Sequence, residues 1–372
     1  MDFDFSDDQQ QLREAARRWV EKAYPFEHRR AAVAAGGFAR NTWSALAELG
    51  LTALQVPEVH GGLGMGPVEA MVVMEEMGRG LVLEPLAQSL LAAQVLSRYA
   101  PPSTQAQWLP RVASGDALVV LAHQERRARY RLEHCESKAV QTTDGYRLSA
   151  QKSLVPAGDQ ADAFLVPALL DGHLALFLLA RDADGVSVSG YQTQTGSRAA
   201  EVEAAHSPAT LLTTDGLAAL ELAVDTASAA ICAEAVGAME AMLAITADYM
   251  NQRKQFGVPI ASFQALRHRL ADMKMQLELA RSMSYYASLK LQAPADQRRR
   301  AIARARVQLS QSMRYVGQQS VQLHGGIGVT DEYIISHYFK HLTQLEMSYG
   351  DGLHHLGELS ARMLETAGVG EG

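Results

Sequence analysis

The sequence predicts an α+β chain of several domains: N-terminal helices, a small middle β-barrel and a C-terminal helical bundle. Three observations predict it. Residues 1–115 carry apolar side chains at helical spacing, set between helix caps and stops. Residues 116–215 carry short apolar runs punctuated by Gly145, Gly158, Gly172, Gly185 and Gly190. Residues 216–372 return to long helical periodicity, much of it Ala-rich. No internal repeat or low-complexity tract breaks this order.

The first helix is set by Ser6 as N-cap, with Gln9 where a capping-box partner belongs. Leu12, Ala15, Ala16, Trp19 and Val20 then share one face. A second helix fits Thr42–Leu49, capped by Asn41 and stopped by Gly50. The loop His60–Gly66, HGGLGMG, leads into a helix opened by Pro67 and ending near Gly80. Its glycines have the look of a phosphate cradle, but no strand precedes them, so a tight interhelix turn is the better reading. Leu83–Tyr99 is a further helix.

Ala117–Ala122 is a run of strand length, and Tyr146–Leu148, Phe164–Leu170, Leu174–Leu179 and Val186–Val188 repeat the style. Leu220–Asn251 is then one long helix, apolar on most sides, which places it centrally or at a subunit contact. Phe263–Lys290, Arg298–His324, Tyr333–Tyr349 and Leu353–Thr366 complete the bundle.

The 372 residues are enough for a large shared core. A net charge of −7 gives no footprint for nucleic acid. Cys135 and Cys232 are the two cysteines, far apart, so neither a disulfide framework nor zinc spacing is present and a cytoplasmic setting is expected. The acidic start MDFDFSDDQQ lacks the features of a signal peptide, and no uncharged apolar run is long enough to span a bilayer.

The stretch Asn251–Gln264, NQRKQFGVPIASFQ, gathers Arg253, Lys254, Phe256 and Gln264 at one helix–turn–helix corner. A guanidinium fork suits a pyrophosphate, and an amide can read a nucleotide or flavin edge. A solvated helix end has the same composition, because cations are favoured in any last turn.

With three further features in view, the chain resembles the acyl-CoA dehydrogenase family along nearly its whole length. They are RKQFGVPIASFQAL at Arg253–Leu266, VQLHGGIGVTDEY at Val321–Tyr333, and the helical–β–helical order closed by HYFKHLTQLEMSYGDGLHHL. The endings look like a bacterial branch that works in paired subunits on dicarboxylyl or steroid side-chain acyl-CoA substrates, of the pimeloyl-CoA dehydrogenase small-subunit type. The resemblance implies the acyl-CoA dehydrogenase fold and FAD as cofactor. It implies a tetramer of like or mixed chains in which a neighbour completes each adenosine half. It also implies electron-transfer flavoprotein as acceptor; no nucleic acid and no membrane is expected as partner, from the net charge of −7 and the lack of an uncharged apolar span. Arg253, Phe256 and Gln264 would hold the pyrophosphate and adenine side of FAD. Gln322, Gly325 and Gly326 would meet the cofactor from another helix. The implied reaction is α,β-dehydrogenation of an acyl-CoA thioester: a carboxylate takes the α-proton, and the β-hydrogen leaves as hydride to the flavin.

Against that pattern the base is missing. The family's Tyr-Glu-Gly-Thr reads Tyr349, Gly350, Asp351, Gly352 here, and the alternative base position falls on Ala227, before Ser228. Asp351 is the nearest acid, one residue late and one methylene short; it equally suits a helix cap or a pair with His354 or His355. Asp225 lies two residues from the alternative position and points elsewhere on a helix. The usual Thr-Glu-Pro segment reads Gln124, Glu125, Arg126, Arg127, Ala128, and the flavin-facing Lys-x-Trp-Ile-Thr strand reads Lys152, Ser153, Leu154, Val155, Pro156. The pattern of losses favours a subunit without its own base that completes a partner chain's FAD. The alternatives are a self-sufficient enzyme using Asp351, and a nucleic-acid-associated or structural member of the fold.

His337, His341, His354 and His355 resemble a metal set but lack the Glu of a zinc-protease motif. Arg298, Arg299, Arg300, Arg304 and Arg306 read as a solvated stretch, or else as a CoA phosphate contact or a nucleic-acid contact; Arg126, Arg127, Arg129 and Arg131 pose the same question, with an anionic CoA or a carboxylated substrate as the expected partner. Met71, Met74, Met77, Met273, Met275 and Met283 read as adaptable core packing.

Overall fold

A computed structural model describes residues 5–366 of the chain, with side chains as far as Arg362. Contacts divide it into one unit of Met1–Arg29, Met71–Val82 and Ser228–Gly372, and a second of Arg30–Ala70 and Leu83–Ala227. The helices before the barrel are α1 (Asp7–Ala23), α2 (Phe26–Ala34), α3 (Arg40–Glu48), α4 (Pro67–Arg79), α5 (Leu86–Tyr99) and α6 (Pro102–Ala113). The strands are β1 (Val119–Leu121), β2 (Lys138–Thr142), β3 (Gly145–Pro156), β4 (Ala163–Leu170), β5 (His173–Ala180), β6 (Val186–Gln192) and β7 (Arg198–Thr213). Then come α7 (Gly216–Gln252), a short hairpin β8 (Lys254–Gln255) and β9 (Val258–Pro259), α8 (Gln264–Lys290), α9 (Ala295–His324), α10 (Ile334–Met347) and α11 (Gly352–Thr366).

Helix α1 starts as its sequence dictates: the Gln9 amide donates to Ser6 Oγ at 3.3 Å and the Ser6 amide to Gln9 Oε1 at 3.1 Å. Asn41 does not cap α3. That helix begins at Arg40, Ala39 occupies the cap without a side-chain bond, and Asn41 lies inside the first turn. Trp43 sets its register instead, fully buried with Nε1 donating to the Gly115 carbonyl at 2.9 Å. Helices α2 and α6 were not expected as separate elements, and α5 starts only after Pro85. The His60–Gly66 segment is a turn after a single 3₁₀ element, with Gly61 and Gly64 at φ +79° and +59°.

In the second unit the sheet closes into a barrel. β4 pairs with β5 along one edge and with β1 and then β2 along the other; β2, β3, β7 and β5 follow in order and return to β4. Two strands, β2 and β7, lay outside the sequence expectation. β7 reads RAAEVEAAHSPATLLT, an Ala- and Glu-rich run that has helical composition yet is fixed as a strand by β3 on one side and β5 and β6 on the other.

In the first unit α7 is the core helix. It is long and apolar enough to cross a bilayer by length and composition, and 72% of its most apolar window is buried within the protein. Its face from Ile231 to Met242 packs with Met273, Leu277, Leu309 and Met313 of α8 and α9. α4 crosses α7 at two glycines. A Cβ on Gly78 would stand 1.8 Å from the Glu234 carbonyl oxygen, and one on Gly237 would stand 1.7 Å from that of Glu75. Around the crossing Arg13 and Arg281 meet Glu75, Arg17 meets Glu76, and Arg79 bridges Glu76 and Glu240, which ties α1, α4, α7 and α8 together.

Candidate functional site

The corner at the end of α7 is built from local geometry. The Arg253 amide donates to Tyr249 O and the Ile260 amide to Arg253 O, both at 2.8 Å, which closes the β8–β9 hairpin back on the helix end. Phe256 takes φ +53° at the tip, is 92% exposed, and meets Phe263 edge to face at 6.2 Å. Arg253 and Gln264 are exposed, and Arg253 makes no ion pair among the described residues.

The second cluster is brought to the same end of the bundle by one stack. Tyr249 lies against the His324 ring at 4.3 Å and its hydroxyl donates to His324 O at 3.3 Å. Gln322, Gly325 and Gly326 follow at the exposed end of α9. Gly325 takes φ +64° and ψ −139°, a conformation that needs glycine, and a Cβ on Gly325 or Gly326 would meet nothing within 4 Å. His324 Nδ1–H donates to Ser320 O at 2.8 Å, and burial holds the ring's pKa below its ordinary value.

Asp351 is the N-cap of α11: its Oδ1 accepts the His354 amide at 2.8 Å. Gly350 takes φ +120°, and a Cβ there would lie 2.6 Å from ring atoms of His354 and His355. Arg306, fully buried, donates to the carbonyls of Leu345, Glu346, Ser348 and Gly350. Burial and the Arg306 charge push His355 down to about 2, so it is neutral in this cluster. Burial pushes the Cys232 thiol up to about 11, as a core residue. Ala227 and Asp225 are both fully buried in α7.

On the barrel a groove of about 860 Å³ runs over β3 and β7, walled by the Glu125–Ser137 loop. Ser149, Gln151 and Ser153 of β3 face it beside Glu201 and Glu203 of β7, with Arg126 and Arg127 at the rim. The loop is pinned from inside the barrel. Lys152 Nζ donates to Glu125 Oε1 at 2.6 Å and to Pro167 O at 2.9 Å, and Glu125 also accepts from Ser137 Oγ at 2.6 Å and the Glu136 amide at 2.6 Å. Burial raises the Glu125 carboxyl, but the Lys152 charge and these donors outweigh it and hold the group at about 2. Past Lys152 the ladder slips. Leu154 bulges out at φ +52°, 53% exposed, and its amide donates to Glu201 Oε1 at 3.3 Å, an oxygen that also accepts from Tyr191 Oη at 3.1 Å. Sequence reasoning missed Glu201 and Glu203, because β7 was not legible as a strand.

The remaining clusters come apart. His337 lies against Arg29, and His341 meets Glu234 at 3.0 Å; the described residues hold no metal-binding group of three. Arg298 and Arg306 are buried, while Arg299 pairs with Glu358 and Arg300 with Asp296. Arg126 pairs with Glu201 and Arg127 with Glu136.

Helices, a closed barrel and more helices, with an exposed cationic, glycine-bearing corner on the bundle, define a multidomain α+β protein with a surface suited to an anion. The chain belongs to the acyl-CoA dehydrogenase family: the family's N-terminal domain matches residues 6–116 and its C-terminal domain residues 214–364. Members of the family are oxidoreductases and FAD-dependent flavoproteins. The chain is 31% identical to the acyl-CoA dehydrogenase FadE27 of Mycobacterium tuberculosis, over 88% of this chain and 89% of that one. Among solved structures it is similar to the ChsE4–ChsE5 complex from Mycobacterium tuberculosis, with a TM-score of 0.90, 28% identity, and 98% and 99% of the two chains covered. It is also similar to a Tcur3481–Tcur3483 steroid ACAD variant, with a TM-score of 0.90, 30% identity, and 97% and 99% covered.

Proposed function

We propose that this chain is a subunit of a mixed acyl-CoA dehydrogenase that grips the adenosine–pyrophosphate half of a FAD, while a related partner chain supplies the flavin-ring contacts and the base. The observation that carries the reading is the contrast between the two halves of the site. Arg253 is exposed and makes no ion pair among the described residues, Phe256 is exposed at a hairpin tip, and Gly325 and Gly326 leave open space for a phosphate. These residues fit a nucleotide.

The barrel groove does not fit a flavin ring. Its floor carries carboxylates where a ring needs apolar faces and free amides, and the Leu154 amide is taken by Glu201. The base position is equally closed: Gly350 cannot carry a side chain without displacing His354 and His355, and Asp351 is committed to a helix end. When bound, the flavin supplies hydride acceptance for α,β-dehydrogenation. This chain's residues hold its nucleotide tail and add no proton transfer of their own.

The substrate class we propose is a steroid acyl-CoA thioester, after the steroid ACAD among the similar structures, with electron-transfer flavoprotein as acceptor. The test is co-expression with a related chain that keeps the Tyr-Glu-Gly-Thr motif. Flavin content is then measured per chain. The mixed complex should hold one FAD per pair of chains and bleach with acyl-CoA, whereas the isolated protein should be colourless. Full FAD occupancy and turnover by the isolated chain overturn the reading.

A further inference from the structure

The loop from Gly325 to Tyr333 is anchored at two feet, and the second is an imidazole. The first foot is the Tyr249–His324 stack, with Tyr333 closing over His324 at 5.3 Å. Between the feet Ile327 and Val329 are exposed and the glycines are open. At the second foot His337 Nε2 lies 2.9 Å from the Asp331 carbonyl, while Nδ1 lies 3.0 Å from Arg29 Nη1. A guanidinium has hydrogens and no lone pair to offer, so Nδ1 must accept. The proton of a neutral ring is therefore on Nε2, where it donates to Asp331 O. Arg29 is itself fixed: it is buried, and its Nε donates to Leu81 O at 3.1 Å.

The charged groups facing the ring are Arg29 from α2, Lys340 from α10 and the Asp331 carboxylate, which Lys340 engages at 2.5 Å. Phe26 packs on the ring edge to face at 5.0 Å. A second proton would have to go on Nδ1, where it would point at the Arg29 guanidinium.

We infer that His337 is a positioning residue for the cofactor loop: in its neutral Nε2–H form it clamps Asp331 and so fixes the presentation of Gly325 and Gly326, and protonation releases the clamp. Burial, then Arg29 and Lys340, hold the imidazole below its ordinary range, in part offset by the Asp331 bond. The folded-state pKa is thus depressed below the unfolded value. In the folded protein the clamp still holds at the ordinary imidazole value near pH 6.5, and it is lost as pH falls through the lower, folded value. The inference rests on the proposed nucleotide-holding role for its consequence, but not for its geometry.

The experiment separates the two. In the full chain labelled with ¹⁵N-histidine and ¹⁵N-glycine, His337 should show the Nε2–H tautomer. The Gly325 and Gly326 amides should move with acid through its titration. His337→Gln, which keeps a donor near the Nε2 position but does not titrate, should abolish that movement. Lys340→Gln, at a half-exposed position, should shift it to higher pH by removing a facing cation. In the mixed complex, FAD retention should weaken roughly three- to ten-fold from neutral pH to a pH below the His337 midpoint read in the same titration, and stay flat in His337→Gln. An Nδ1–H tautomer, or a pH profile for FAD that His337→Gln leaves unchanged, overturns the inference. Glycine amides that follow His337 in a complex that holds no FAD at any pH support the clamp and sink the proposed function instead.

Discussion

Lys152→Met puts the buried pair inside the barrel under the most direct strain. Lys152 and Glu125 are 2% and 4% exposed, and they meet at 2.6 Å. Methionine fills most of the lysine volume, so the substitution removes charge rather than packing. It leaves the Glu125 carboxylate buried with donors from Ser137 and Glu136 but no countercharge. Breaking such a pair from one side costs about 3–5 kcal/mol. At about 2–4 °C per kcal/mol for a domain of this scale, melting should fall by roughly 6–20 °C at neutral pH. The Glu125 carboxyl sits below its unfolded value, so its contribution is complete above about pH 4.5 and is lost as pH falls through about 2. The gap between wild type and variant, followed by circular dichroism, should therefore shrink as pH is lowered from 7 to 3. Adding Glu125→Gln to Lys152→Met should recover part of the loss. A variant that melts with the wild type, or a gap that is constant with pH, refutes this reasoning.

Other outcomes follow from single residues. Gly237→Ala drives a Cβ into the Glu75 backbone and should lower stability by about 1–3 kcal/mol or prevent soluble expression, whereas Gly357→Ala, with open space around it, should be neutral or stabilising by about 1 kcal/mol in denaturant melts. Gly350→Glu should destabilise by about 1–3 kcal/mol, because φ is +120°, and should give the isolated chain no acyl-CoA-dependent flavin bleaching. Arg253→Gln should weaken FAD retention by the mixed complex roughly ten-fold or more without changing the melting of the isolated chain, since a charge-assisted contact is lost from a surface residue; equal retention in a filtration assay would remove Arg253 from the cofactor site.

What the sequence made legible was local. The Arg253–Gln264 corner is one continuous stretch, its turn is spelled by Gly257 and Pro259, and the helix ends around it follow from periodicity. The capping box of α1 was readable for the same reason. What stayed hidden was decided by distant partners. β7 is a strand because β3, β5 and β6 pair with it, against its own composition, and the acidic floor of the groove was hidden with it. The start of α3 is set by Trp43 reaching Gly115 rather than by any cap. The clamp on the cofactor loop joins Arg29 to His337, which are 308 residues apart, and no spacing rule connects them.

The barrel's return to β4 has a consequence for the chain when it is made alone. A sheet that bites its own tail offers little unpaired backbone: β1 is a three-residue stub whose side chains are buried, and β6 is the remaining rim. Fibre-like stacking of strands is thereby discouraged. The most exposed large apolar side chains lie off the strands, at Phe256, Val59, Leu353 and Val329, so the route to insolubility of the chain made alone should be amorphous clumping.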